Sequence, residues 1–347
     1  MKKRIIFSFW ALTFGLAFTN CSPDPLPDNV DLLQYFGSIP PATTIESPYE
    51  GIDFDIINRF KAVLHTHTRV SDGKQTADEM IKAYADRGYH ILAITDHDQV
   101  YAKNTGIVNV NGRDILVIKG IELTMTHHFN SLFEDSGKPL QLNVESQINY
   151  EIKKHNSVLF LNHPGRHIWF YPMTFYFDLF NKFPAENLVG MEVINNADEY
   201  PSDKDTWHKV LTGVSPNRTV YGFANDDAHY YSEIGSSYNE YLTDNLNEAE
   251  VRNAIVHGKS FFYTNATVSR PTGSMPYVKD VIVNRATMTI TVEAENYSKI
   301  EWRSCGVVVC TDEEIAINND GYNFYKYVQF TLTGPGGQLF SQPFLIK

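Results

Sequence analysis

From about residue 58 to residue 266 the chain alternates short, continuous apolar runs with stretches of helical period. Residues 60–64, 90–95, 114–121, 157–161, 188–194, 219–224 and 260–264 read as strands. They are apolar throughout rather than alternating, as expected of a parallel sheet covered by helices. Helices are expected between them at 144–154, 203–211 and 248–257. Another follows the capping box Thr76-Ala77-Asp78-Glu79, with Met80, Ile81, Tyr84 and Ala85 on its apolar face and Gly88 as its stop. Seven strands with intervening helices predict an α/β fold, a closed or nearly closed β/α barrel whose active site lies at the C-terminal strand ends. Beyond residue 270 the period changes. Residues 287–292 alternate strictly, and Val328, Phe330 and Leu332 alternate with Gln329, Thr331 and Thr333. This predicts a small C-terminal antiparallel β domain, sandwich-like, over 271–347, after a barrel over 58–270.

The N-terminus has a different character. Lys2-Lys3-Arg4 precedes an apolar run from Ile5 to Phe18, too short to span a bilayer and suited to a signal peptide over 1–20. Cys21 stands where a bacterial lipoprotein carries its lipid, which predicts an exported protein anchored to a membrane and facing the periplasm or the cell surface. Residues 21–57, opening with Ser22-Pro23-Asp24-Pro25-Leu26-Pro27, read as a tether and N-terminal extension. Cys305 and Cys310 are spaced so that a bridge across a hairpin is possible in an oxidising compartment. The formal net charge of −12 argues against a nucleic-acid partner, because neutralising phosphates needs a basic surface.

The strand ends carry the candidate chemistry. His65-Thr66-His67, Asp96-His97 and Asp227-Ala228-His229 each follow an apolar run. In an extended H-x-H segment both imidazoles face one way and can hold one ion. A carboxylate can bridge two ions, and mixed nitrogen and oxygen ligation suits Zn, Mn or Fe.

Six segments in order resemble the motifs of the PHP (polymerase and histidinol phosphatase) family. They are His65-Thr66-His67, Ser71-Asp72-Gly73, Thr95-Asp96-His97, Gly120-Ile121-Glu122, Asn162-His163-Pro164 and Asp227-Ala228-His229. The resemblance implies a distorted (β/α)7 barrel with two or three divalent metal ions. It implies one sub-site of His65, His67, Glu122 and Asp227, a second of His128 and His163 with Glu122 as bridge, and a third of Asp72, His97 and His229. Either His127 or His128 fits the second by position, and the resemblance favours His128 because it directly precedes Phe129-Asn130.

The activity so implied is hydrolysis of a small phosphomonoester or phosphodiester by a metal-bound hydroxide. Arg166, or else Arg69, is the candidate to contact a phosphoryl oxygen, and a metal-bound water, Asp226 or Glu192 to protonate the leaving group, with Asp226 otherwise supporting a ligand or facing elsewhere. Glu192 has a structural role as its alternative. The aromatic stretch 168–183 combines packing helix with a possible pocket wall. Two other readings use the same residues: a carboxylic ester, amide or carbamate hydrolase, and a non-catalytic surface-binding lipoprotein.

Overall fold

A computed structural model describes residues 42–347 apart from 125–126, 134–142, 266–272, 320–321 and 324. The expected signal peptide, Cys21 and most of the tether lie outside the described residues. Among the described residues no helix is long and apolar enough to cross a membrane.

Up to residue 264 the chain forms β1 (Ile45–Glu46), β2 (Asn58–Val63), β3 (Ile91–Ile94), β4 (Gly106–Val110), β5 (Arg113–Leu123), β6 (Phe129–Leu132), β7 (Val158–Leu161), β8 (Leu188–Asn195), β9 (Tyr221–Asn225), β10 (Ser237–Thr243) and β11 (Ser260–Thr264). The helices are α1 (Ala77–Asp86), α2 (Val144–His155), α3 (Met173–Lys182), α4 (Ser202–Val214) and α5 (Glu248–His257). The capping box at Thr76 is formed, with Glu79 reaching back to the Thr76 backbone. Strands β3, β7 and β8 are buried along their whole length, which is why they read as continuous apolar runs.

The sheet differs from a closed ring of parallel strands. Its path runs β10-β2-β3-β5-β6-β7-β8-β9 and stops. Strand β6 is antiparallel to both β5 and β7. Strand β10 occupies the free edge of β2, antiparallel, so no ladder joins β9 to β2. The gap is bridged just past the two strand ends, where Asp227 N–H donates to the His65 carbonyl (3.1 Å) and His67 N–H to the Ala228 carbonyl (3.0 Å). These two backbone bonds lie at the cluster of candidate ligands. Neither β6 nor β10 is a long apolar run that the sequence pattern marks: Phe129-Asn130-Ser131-Leu132 has two polar residues, and Ser237 to Thr243 has four.

The C-terminal part is antiparallel; five of its ten described strands continue the same sheet, and the other five form a separate three-stranded and a separate two-stranded sheet. It comprises β12 (Tyr277–Asn284), β13 (Thr289–Glu295), β14 (Lys299–Ser304), β15 (Val307–Cys310), β16 (Glu314–Ala316), β17 (Asn318–Asn319), β18 (Tyr322–Asn323), β19 (Tyr327–Gly334), β20 (Gly337–Ser341) and β21 (Phe344–Ile346). Strand β20 pairs with β11, bringing Phe340 opposite Phe262, with rings stacked at 5.0 Å. Phe262 also meets Trp207 of α4 edge-on at 5.8 Å. The Gln342 amide pairs with both backbone groups of Gly222 on β9, each at 2.8 Å. C-terminal residues thus complete the covering of strands that carry the candidate site. Cys305 is a free thiol, so the bridge to Cys310 is not formed. It sits in the β14–β15 turn with φ 51, while Cys310 lies opposite Trp302 farther along the hairpin.

His208 on α4 ties the two parts together. Its Nδ1 lies 2.9 Å from the Tyr327 hydroxyl, and burial pushes the imidazole down to about 3. An unfolded histidine titrates near 6.5, so between about 6.5 and about 3 the unfolded chain binds the extra proton. Stability should therefore fall as pH drops through that window, by about 1.4 kcal/mol per pH unit for this group. Urea unfolding of wild type and His208→Gln at about pH 7 and about pH 5 checks this. The variant should show the smaller pH dependence, and equal dependence would contradict the assignment.

Candidate metal centre

The chain past β2 stays extended, so His65 and His67 project to the same side. Their Nε2 atoms lie 3.1 Å apart. Asp227 follows the end of β9 with φ 47, a left-handed turn that sends its carboxylate back toward this pair. Its Oδ1 is 3.2 Å from His65 Nε2 and 2.9 Å from His67 Nε2. Nearby Asp226 points the other way. It is fully buried and accepts from the backbone N–H groups of Gly235, Ser236 and Ser237 and from the Tyr84 hydroxyl.

Glu122, near the end of β5, lies at the centre. Its Oε1 is 3.0 Å from His128 Nδ1 and 3.4 Å from both His65 Nε2 and His163 Nε2. Its Oε2 is 2.8 Å from His97 Nδ1 and 3.4 Å from His67 Nε2. Five imidazoles therefore surround one carboxylate that is wholly buried. Burial by itself would raise the Glu122 carboxyl, but His65, His128 and His163 together hold it well below the usual carboxylate range. Asn162 Nδ2 donates to Glu122 Oε1 and to Asn130 Oδ1, fixing the carboxylate from behind (2.9 Å each).

A third group lies toward solvent. Asp72 approaches His97 Nε2 and His229 Nε2 at 3.3 Å each, and His67 belongs to the same cluster. The Asp72, His97 and His229 side chains are 53%, 30% and 26% exposed, against 1% for His67. Asp96 does not join them. It accepts from Thr68 N–H (2.7 Å), the Thr68 hydroxyl (2.6 Å) and the Ser71 hydroxyl (2.7 Å), and so shapes the loop bearing Asp72. Gly73 is required there, since a Cβ would meet the His67 carbonyl oxygen at 2.7 Å.

The structure brings all nine expected ligands to one place: His65, His67, Asp72, His97, Glu122, His128, His163, Asp227 and His229. It turns His128 to Glu122, while His127 packs inward with Nε2 on the Tyr176 hydroxyl at 3.1 Å. The expected proton donors are not where an acid must be. Asp226 faces away. Glu192 lies behind His65, its Oε1 2.9 Å from His65 Nδ1, and it also accepts from His163 N–H and from the Asn195 and Asn225 amides. With its oxygens so committed, it orients a ligand rather than meeting a leaving group. Arg166 is exposed on a 3-10 turn, and Arg69 is exposed with Nε bound to the Lys74 carbonyl. His167, which none of the sequence motifs contains, clusters with His128 and His163. The signal was its place four residues after His163 across a Pro-Gly turn. Burial and the adjacent His163 and His128 push it down to about 3.

The donor set fits divalent cations. His163 Nδ1 and His167 Nε2 are buried without a hydrogen-bond partner, and Glu122 Oε2 and Asp227 Oδ1 meet only imidazole nitrogens of the cluster. An orphaned buried polar atom costs about 1–3 kcal/mol, and several converging lone pairs are what a bound cation satisfies.

A model of the PHP domain matches residues 63–254. The DNA polymerase/3'-5' exonuclease PolX of Bacillus subtilis (strain 168) is 27% identical over 118 residues, covering 28% of this chain and 21% of that protein. The chain thus spans about a fifth of the length of that relative. Among solved structures, a two-domain protein from Bacteroides vulgatus ATCC 8482 containing a predicted PHP-like metal-dependent phosphoesterase is 17% identical, with a TM-score of 0.46. The match covers 85% of this chain and 88% of that one. The lesion-specific endonuclease PfuEndoQ of Pyrococcus furiosus is 16% identical, with a TM-score of 0.41, over 57% of this chain and 56% of that one.

Glu192→Gln tests the orienting role. It keeps the side-chain shape but weakens the hold on His65 and places an amide nitrogen among donors. Metal affinity should fall about 10- to 100-fold, the usual cost of losing such a partner, read by chelator competition. Unchanged affinity would remove Glu192 from the centre.

Proposed function

Because the chain belongs to the PHP domain family, whose model spans residues 63–254, we propose that it is a metal-dependent hydrolase of a small phosphomonoester or phosphodiester. The observation that carries this reading is Glu122, one buried carboxylate shared by imidazoles from five separate positions. His65, His67 and Asp227 form one side of the shared centre and His128 and His163 another, with Asp72, His97 and His229 toward solvent. Two or three divalent ions, Zn, Mn or Fe, would supply a nucleophile from water near neutral pH and offset charge on phosphoryl oxygens.

The chain's own residues set the direction of approach. The His65 and Glu122 side are sealed by protein, whereas Asp72, His97 and His229 are open, so a substrate phosphate reaches the centre from that side. Arg166, exposed on the 3-10 turn that follows His163, is the candidate cation for a substrate oxygen. With Asp226 and Glu192 buried and committed, the leaving oxygen takes its proton from the solvent side. The acidic balance of the chain, −12, disfavours a nucleic-acid substrate. We place the protein outside the cytoplasm, lipid-anchored through Cys21, on the basic residues, apolar run and cysteine of its N-terminus.

The test is an assay of the purified protein, reconstituted with Zn, Mn or Fe, against aryl phosphomonoesters, aryl phosphodiesters, aryl acetates and duplex DNA. Release from an aryl phosphate that a chelator abolishes supports the proposal. Turnover of acetate or DNA without either aryl phosphate would overturn it.

A further inference from the structure

We propose that His167 is a direct ligand of the ion held by Glu122, His128 and His163, so that this sub-site has three imidazoles and one carboxylate. The inference rests on the metal-centre reading and extends the ligand set beyond the nine residues expected from the sequence.

The backbone delivers His167 to the site. Residues Pro164–Arg166 form a single 3-10 turn, with Arg166 N–H on the His163 carbonyl (3.0 Å) and His167 N–H on the Pro164 carbonyl (2.9 Å). That turn folds the His167 ring back over its neighbours, 5.5 Å from the His163 ring and 5.2 Å from that of His128. The turn is fixed from outside, because Gly165 N–H donates to the Asp203 carboxylate at the start of α4. No side chain fits at Gly165, since a Cβ would meet the Ser202 hydroxyl at 2.3 Å. The ring itself is held by His127, which lies against it at 4.3 Å and 30°.

The nitrogens show what the ring is for. One nitrogen each from His128, His163 and His167 lie within 4.8 Å of one another. His167 is 7% exposed, yet its Nε2 is buried with no hydrogen-bond partner. Two other buried histidines show the contrast. His127 places one nitrogen on the His128 carbonyl (2.9 Å) and the other on the Tyr176 hydroxyl (3.1 Å). His208 places Nδ1 on Tyr327. A packing histidine satisfies its nitrogens in this way, whereas His167 keeps Nε2 without a partner in a ring that clusters with two other imidazoles.

Two chemical consequences follow. A set this rich in imidazole selects Zn, Fe, Co or Ni over Mg or Ca. Four protein ligands would fill the positions of a four-coordinate ion, which agrees with substrate engaging the more open side near Asp72, His97 and His229.

The experiment uses the full protein loaded with cobalt(II), comparing wild type, His167→Gln and His127→Gln by chelator competition and by the ligand-field absorption of the bound cobalt. His167→Gln should weaken one metal equivalent by more than about 100-fold and alter the ligand-field bands. His127→Gln should stay within the roughly 10- to 100-fold cost of an outer-sphere partner and keep the bands. Wild-type affinity and bands in His167→Gln, with cobalt bound to the wild type, overturn this inference and leave the metal-centre reading standing. A wild type that takes up no cobalt overturns both. Should His167→Gln fail to fold, His167→Cys decides: a thiolate-to-cobalt charge-transfer band absent from wild type supports direct ligation, and its absence overturns it.

Discussion

The centre depends on the burial of one carboxylate among five imidazoles. Glu122 is fully buried, and each of its oxygens is shared by at least two histidines. In a low-dielectric interior such a group is costly unless compensated. The histidines compensate it in part, and divalent cations held by the same cluster would complete the balance. Much of the surrounding polar architecture serves to hold these side chains. Asn162 fixes Glu122, Glu192 fixes His65 and the backbone of His163, and Asn225 and Asn195 fix Glu192.

The fold supplies convergence through strand ends and irregular backbone together. Strands β2, β5, β7 and β9 lead into His65, Glu122, His163 and Asp227. The last step is made outside regular structure, by the left-handed turns at His163 and Asp227 and by the two backbone bonds that tie residues 65–67 to 227–228. Those bonds bridge a sheet that β10 leaves open. The C-terminal strands then cover what remains, through the Phe262–Phe340 stack and the grip of Gln342 on Gly222. The ligand-bearing strands therefore lean on residues more than a hundred positions away.

Much of this was legible in the sequence, for identifiable reasons. Strands buried on both faces are continuous apolar runs, and helices such as α1 announce themselves with a capping box. The nine expected ligands fall at strand ends or in the loops just beyond them, where type and spacing carry the signal. Strand pairing was not legible. Nothing in the composition of residues 237–243 says that they take the edge of β2, so the closed ring was expected and an open path is found. Side-chain direction was not legible either. Asp226 and Asp227 are neighbours in sequence, but the positive φ at Asp227 sends one to the ligands and the other to the Gly235–Ser237 backbone. Glu192, inside β8, reads from the sequence as an acid or a structural residue, and only its contacts with His65 and the asparagine amides around it reveal that it serves His65. His167 went unnoticed because its proximity is made by a 3-10 turn across Pro164-Gly165, which no simple period marks.

The most direct measurement is the metal content of Glu122→Gln beside Asp227→Asn and His97→Ala, after identical purification and with folding checked by thermal unfolding. If Glu122 is shared between ions, replacing it removes the charge that both rely on, because ligand affinity depends on the deprotonated carboxylate. Glu122→Gln should then lose more metal per chain than either of the other variants. Full occupancy in Glu122→Gln would contradict the account.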